Sequence, residues 1–166
     1  CYLLKTTLEQ ISPFITKRMM RELSARIFTP YLNHHFWWMG GNGESTNNWT
    51  VWCTQNVLHA VFLTDTDETL RRSVFLKACQ SIDYFLEEYG DDGCCDEGAS
   101  YYRHAGLCLF NTTDFLNAVT NNAFCHLYQN RKIRNIASYI MNVHVKDKYY
   151  VNFADCSPVA GRAGVR

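Results

Sequence analysis

The sequence predicts an all-α fold of stacked antiparallel helical hairpins. Three observations carry it: apolar residues recur at helical spacing almost throughout, alternation of period two is nearly missing, and most linkers between the periodic segments are short. The clearest element runs over about 67–89, where Leu70, Val74, Ala78, Ile82 and Phe85 share one face while Arg71, Arg72, Lys77, Asp83 and Glu87 occupy the others. Asp65 with Glu68 three residues on reads as its capping box, and Gly90 as its stop. By the same test helices are expected at 3–28, bent around Pro13, and then at 48–63, 99–119 and 122–143. The stretch TPYLNHHFWWMGGNGESTN is the one long irregular linker, and only YYVNFAD (149–155) looks like a strand.

The chain has 166 residues, 47% of them hydrophobic, enough for one helical domain, 1–166, with a substantial core. Sixteen Lys and Arg balance sixteen Asp and Glu, so no overall field draws the chain to nucleic acid or to a membrane surface. No apolar run approaches the roughly 20 residues that span a bilayer. The chain starts at Cys1 inside an amphipathic pattern and stops at SPVAGRAGVR, so it reads as a piece of a longer protein. Of its eight cysteines, five sit singly in apolar helical stripes, where they behave as free, buried hydrophobes. That leans toward a reducing compartment such as the cytoplasm, while a leader upstream of Cys1 would make the protein periplasmic or secreted. No Cys or His pair has zinc-ligand spacing.

Three irregular stretches concentrate polar and aromatic groups. In the first, adjacent Trp37 and Trp38 are either core plugs or a flat platform for a sugar ring. Asn47 and Asn48 then open a helix with Trp49, and an Asn there is a preferred N-cap. NWT at 48–50 and NTT at 111–113 also match the glycosylation sequon. In the second stretch, DDGCCDEGASYYRHAG, a loop leads into a helix, so that Tyr101 at its first turn can reach a cleft, and Arg103 would favour its phenolate. Tyr101 and Tyr102 can equally be packing residues. The third stretch, YYVNFADCSP, offers Asn152 and Asp155. His34, His35 and His104 are possible bases, whereas His59 and His126 fall in apolar runs and read as core residues.

In that order and at these separations, NNWTVWC, DDGCCDEGASYYRHAG and YYVNFADCSP resemble the heparinase II/III-like family of polysaccharide lyases, over about Trp37 to the C-terminus. The resemblance implies part of an incomplete (α/α) toroid, with the β-sandwich that follows it absent from this chain. It implies β-elimination on a uronic-acid-containing, glycosaminoglycan-like polysaccharide, with no cofactor in this segment and any structural metal confined to the missing β domain. Carried over by motif, Asn48 becomes the partner of the substrate carboxylate and Tyr101 the proton-transfer residue. Trp37, Trp38, Asn47, Trp49, Glu97, Tyr102, Arg103 and His104 become substrate-binding. Trp49 stands where many relatives have a His, and the other catalytic His is expected beyond Arg166. Two other readings stay open: a glycoside hydrolase pairing Asp96 or Glu97 with Asp155, and a sugar-binding helical domain without chemistry.

Overall fold

A computed structural model describes residue 7 and residues 10–159. The expected helix start near residue 3, Cys1 and the last seven residues lie outside the described residues. The described chain is mainly helical. Pro13 does not bend a helix but begins one: Ser12 is extended (φ −160°, ψ 115°), and α1 runs over Pro13–Leu23 with the proline at its start, where a missing N–H costs nothing. The helical path then continues to residue 33. It widens into a π-type turn at Ser24–Phe28, where the Thr29 N–H reaches back five residues to the Ser24 carbonyl, and returns to α-geometry as α2, Thr29–Asn33. Pro30 accounts for the widening, because a proline mid-helix lacks its donor and crowds the carbonyl four residues before it. Residues 29–33, expected as loop, are therefore helical, and Phe28 and Tyr31 anchor this body in the core.

The central element is α3, Asn48–Phe62. It starts where the sequence places it because Asn47 caps it: Asn47 Oδ1 accepts from the Trp49 N–H at 2.8 Å, and Thr50 Oγ1 accepts from the Asn47 N–H at 3.1 Å. Val51, Leu58 and Val61 are buried, as are Thr50 and Thr54, so α3 hides more than one face and packs against both α4 (Glu68–Glu88) and α5 (Gly106–Val119). Val74, Ala78, Ile82 and Phe85 of α4 meet it as the periodicity predicts. Each fully buried large apolar side chain contributes about 1.5–3 kcal/mol to this core. The cap of α4 is Asp67, whose Oδ1 accepts from the Leu70 N–H at 2.8 Å, rather than the predicted Asp65–Glu68 box. The helix ends at an extended Tyr89, one residue before Gly90.

Two expected helices start later than predicted. The 99–119 segment is a turn and a short 3-10 turn (Tyr102–His104) up to Ala105, and only then α5. Gly98 sits at φ +85°, where a right-handed helix cannot begin, and the Tyr102 ring lies so close over Gly106 that a Cβ there would fall 2.3 Å from it. The 122–143 segment is a 3-10 turn at Cys125–Gln129 and then α6, Arg131–Asn142, because Asn121 and Asn122 take positive φ and Asn130 caps the later start. The predicted strand at 149–155 is instead a small hairpin, β1 (His144–Lys146) and β2 (Tyr149–Tyr150), turning at Asp147 with φ 51°, while 151–153 is irregular.

Candidate functional site

The site is organised by the linker 89–105, which is tied to three parts of the molecule. Gly93 has φ +79°, and a Cβ on it would lie 2.2 Å from the backbone of Asn135, so the linker touches α6 backbone to backbone. Asn135 Nδ2 donates to the Asp91 carbonyl at 2.7 Å, and Lys132 Nζ donates to the Leu86 carbonyl at 2.8 Å. Tyr102 donates its hydroxyl to the Ile136 carbonyl at 3.0 Å and sets its ring 5.7 Å from that of Tyr139. Burial, with the Cys95 thiol nearby, pushes Tyr102 up to about 12. Tyr102 is a packing residue that pins α6.

Farther along, the linker lies beside one turn of α3. Asn48, only 6% exposed, donates Nδ2 to Glu97 Oε2, and four residues on the Trp52 ring lies 4.4 Å from that of His104. Tyr101 falls between these two contacts, its ring 6.2 Å from His104, and it is half-buried. Burial first, then the neighbouring Arg103 charge, lowers the pKa of His104, so its imidazole is readily neutral and able to accept a proton. Arg103 itself is exposed. Beside Asn48 a cavity of about 210 Å³ opens, walled by Thr46, Glu88, Tyr89, Asp96 and Glu97 among others. Tyr101 is not part of this wall; its ring neighbours His104, which in turn meets Trp52. Glu88 belongs to the wall structurally, since its Oε2 accepts from the Thr46 N–H at 2.7 Å and Oγ1 at 3.0 Å.

Glu97 is the unusual carboxylate. Burial first, then the charges of Asp155 and Asp96, raise its pKa above the ordinary glutamate range. Asp155 comes from the third stretch singled out in the sequence, and that stretch docks on the second: the Ser100 N–H donates to Cys156 Sγ at 3.3 Å. The absence of a side chain on Gly98 makes room, since a Cβ there would fall 2.4 Å from that of Cys156. Asn152 and Asp155 are themselves exposed.

The aromatic residues separate. Trp38 stacks on Phe36 (5.7 Å, 6° between planes) and lines an apolar cavity of about 440 Å³ between α3 and the helical path around Ile27 and Tyr31, so it is a packing residue. Trp37 turns outward, 51% exposed, with its ring 5.8 Å from Trp49, which is 48% exposed. Trp52, 41% exposed, continues this surface and was missed from the sequence. Its spacing gave the signal: three residues after Trp49 and four after Asn48, it shares their side of a helix. Asn47 spends its side-chain oxygen on the α3 cap.

Other expectations are corrected. His126 is exposed on the 3-10 turn rather than a core residue, while His59 is half-buried against Phe115 at 4.4 Å. His35 is paired with Glu44 at 2.8 Å. Asn48, in the first sequon, is buried against Glu97, where no glycan fits; Asn111, in the second, is exposed on α5. Among the described residues seven cysteines are free, of which Cys95, Cys108 and Cys156 are buried and Cys125 is exposed. Among the described residues no group of three or more His, Cys, Asp or Glu side chains is placed to hold a metal ion, and no helix is long and apolar enough to cross a membrane. No protein-family model and no curated protein matches the sequence.

Proposed function

We propose that the chain is part of an (α/α) toroid of a polysaccharide lyase that cleaves uronic-acid-containing chains by β-elimination. The observation that supports this reading is the meeting of the three irregular stretches: Asn48 with Glu97 across 49 residues, and Ser100 with Cys156 across 56. The first two stretches wall the cavity, the third docks on the second, and their order is the one that resembles the lyase family.

The chemistry assigns tasks to particular groups. Removing the C5 proton of a uronate builds negative charge beside a carboxylate, so a neutral donor such as the Asn48 amide lowers the barrier by a few kcal/mol. Tyr101, with His104 at its side, handles the protons: one is taken from C5, the C4–O bond breaks as the C4=C5 double bond forms, and the departing oxygen is protonated. Trp37, Trp49 and Trp52 offer faces to sugar rings, and Arg103 meets anionic groups at the rim. The polymer is the sole partner this reading needs; it calls on neither nucleic acid nor membrane.

The test is an ultraviolet assay on a panel of uronic-acid polymers. A rise in absorbance from the conjugated double bond is expected. A saturated product carrying the elements of water would replace the lyase with a hydrolase, and binding without turnover would leave a sugar-binding domain. The hydrolase reading has one specific support: Glu97, a carboxyl that tends to hold its proton, stands near the Asp155 charge, as an acid and its partner do in glycosidases.

A further inference from the structure

We infer that Glu97 is the positioning residue of Asn48: its carboxylate takes one N–H of the amide and thereby fixes where the other points. For its effect on turnover this rests on the lyase reading; the coupling between the two side chains does not.

The geometry makes Asn48 depend on Glu97. Asn47, not Asn48, caps α3, so the Asn48 side chain is not needed to start the helix. Its Oδ1 is buried and has no hydrogen-bond partner among the described residues, which leaves the Nδ2 bond to Glu97 as the contact that orients the amide. A buried polar atom left unbonded costs about 1–3 kcal/mol, so an arrangement that keeps one needs a reason beyond stability. Glu97 in turn has Asn48 as its hydrogen-bond donor among the described residues. The titratable groups around it are Asp96 and Cys95 on its own linker, Asp155 from the docked C-terminal stretch, and Glu88 and Tyr89 across the cavity from the end of α4. None of these carries a positive charge.

This surrounding disfavours the carboxylate, and the sign of the consequence follows. Glu97 keeps its proton to a higher pH than an ordinary glutamate, and the ionised acceptor that holds Asn48 forms only as pH rises through that raised value. A charge-assisted bond is roughly twice as strong as a neutral one, so acid loosens the amide. Folding follows the opposite direction: a raised carboxyl pKa means that ionising Glu97 costs the folded state, so a neutral isostere there relieves stability rather than removing it.

The experiment follows the side-chain amide signal of Asn48 by ¹⁵N NMR against pH, assigned by its disappearance in Asn48→Ala, beside the carboxyl signal of ¹³C-labelled glutamate. The amide should move with the same midpoint as the Glu97 carboxyl, above the ordinary glutamate range, and should stop moving in Glu97→Gln. On the polymer found in the ultraviolet assay, Glu97→Gln should lower kcat by roughly ten- to a hundredfold with little change in KM and erase the acid limb of the pH profile. Its thermal midpoint above pH 7 should be no lower than that of the unaltered chain. An Asn48 signal that ignores Glu97 overturns the coupling without any variant being needed. Unaltered turnover and pH profile in Glu97→Gln, or a loss of turnover that tracks a fall in melting temperature, overturns the positioning role. Coupling seen by NMR with no polymer eliminated would fell the lyase reading and keep this one.

Discussion

Tyr101 and Tyr102 are neighbours with different surroundings. Tyr102 spends its hydroxyl on the Ile136 carbonyl and its ring on Gly106 and Tyr139, whereas Tyr101 has no hydroxyl partner among the described residues and lies next to His104. On the lyase reading, Tyr101→Phe should cut turnover by about 10²–10⁴-fold while the melting temperature stays near its starting value. Tyr102→Phe should do the reverse, destabilising the chain by about 1 kcal/mol and leaving most of the turnover. Paired kinetic and melting measurements on the two variants decide it; activity retained in Tyr101→Phe and lost in Tyr102→Phe would move the site by one residue. The sequence singles out Asn48 and Tyr101 as candidates because a motif records residue types in order. It could not separate Trp37 from Trp38, or find the Asn48–Glu97 bond, because these depend on which way a side chain turns once distant elements have docked.

Among the elements, the linker 89–105 matters most, and Gly93 is the residue that lets it lie against α6. Replacing it with Ala puts a methyl into the backbone of Asn135 and Ile136 at a φ of +79°, where neither neighbour is a flexible side chain. Gly93→Ala should therefore destabilise by about 2–4 kcal/mol, read as a lowered midpoint in a thermal melt. An unchanged midpoint would mean that the linker can rest elsewhere. Helices α3 and α4 were legible nearly to the residue, because apolar residues recur at helical spacing along each and a polar residue stands just before it. The starts of α5 and α6 were not, since Tyr102, Ala105 and Asn122 look helix-compatible in a linear reading. What stops the helix there is a ring packed over Gly106 and a pair of asparagines in left-handed geometry.

At the scale of the whole molecule, the thiols offer a measurement of how the core is closed. Burial pushes Cys79, Cys95 and Cys108 up to about 11, which leaves almost no thiolate at neutral pH, while Cys125 is exposed. Alkylation of the native chain near pH 7.5 should label Cys125 first among the described cysteines, and alkylation in denaturant without reductant should reach all the cysteines. Most of them resisting in denaturant would mean disulfides. The mainly helical character was legible at this scale because helical periodicity is a property of the whole chain; the coming together of the three irregular stretches was not, since nothing local encodes it. That convergence also has a kinetic side. The bonds of the linker join residues 34 to 56 apart in sequence, whereas the ladders of α3 and α4 close within four. Closing long loops carries an entropy that is repaid only after their anchors exist, so the helices should form early and the site should be the last part of the chain to set. In pulse-labelling hydrogen exchange during refolding, the Val57 and Ala78 amides should gain protection before those of Gly98, Tyr101 and His104. The same late-closing linker should be the first to open in the native state, so that the region on which the proposed chemistry depends is also the one where protection against exchange is lowest.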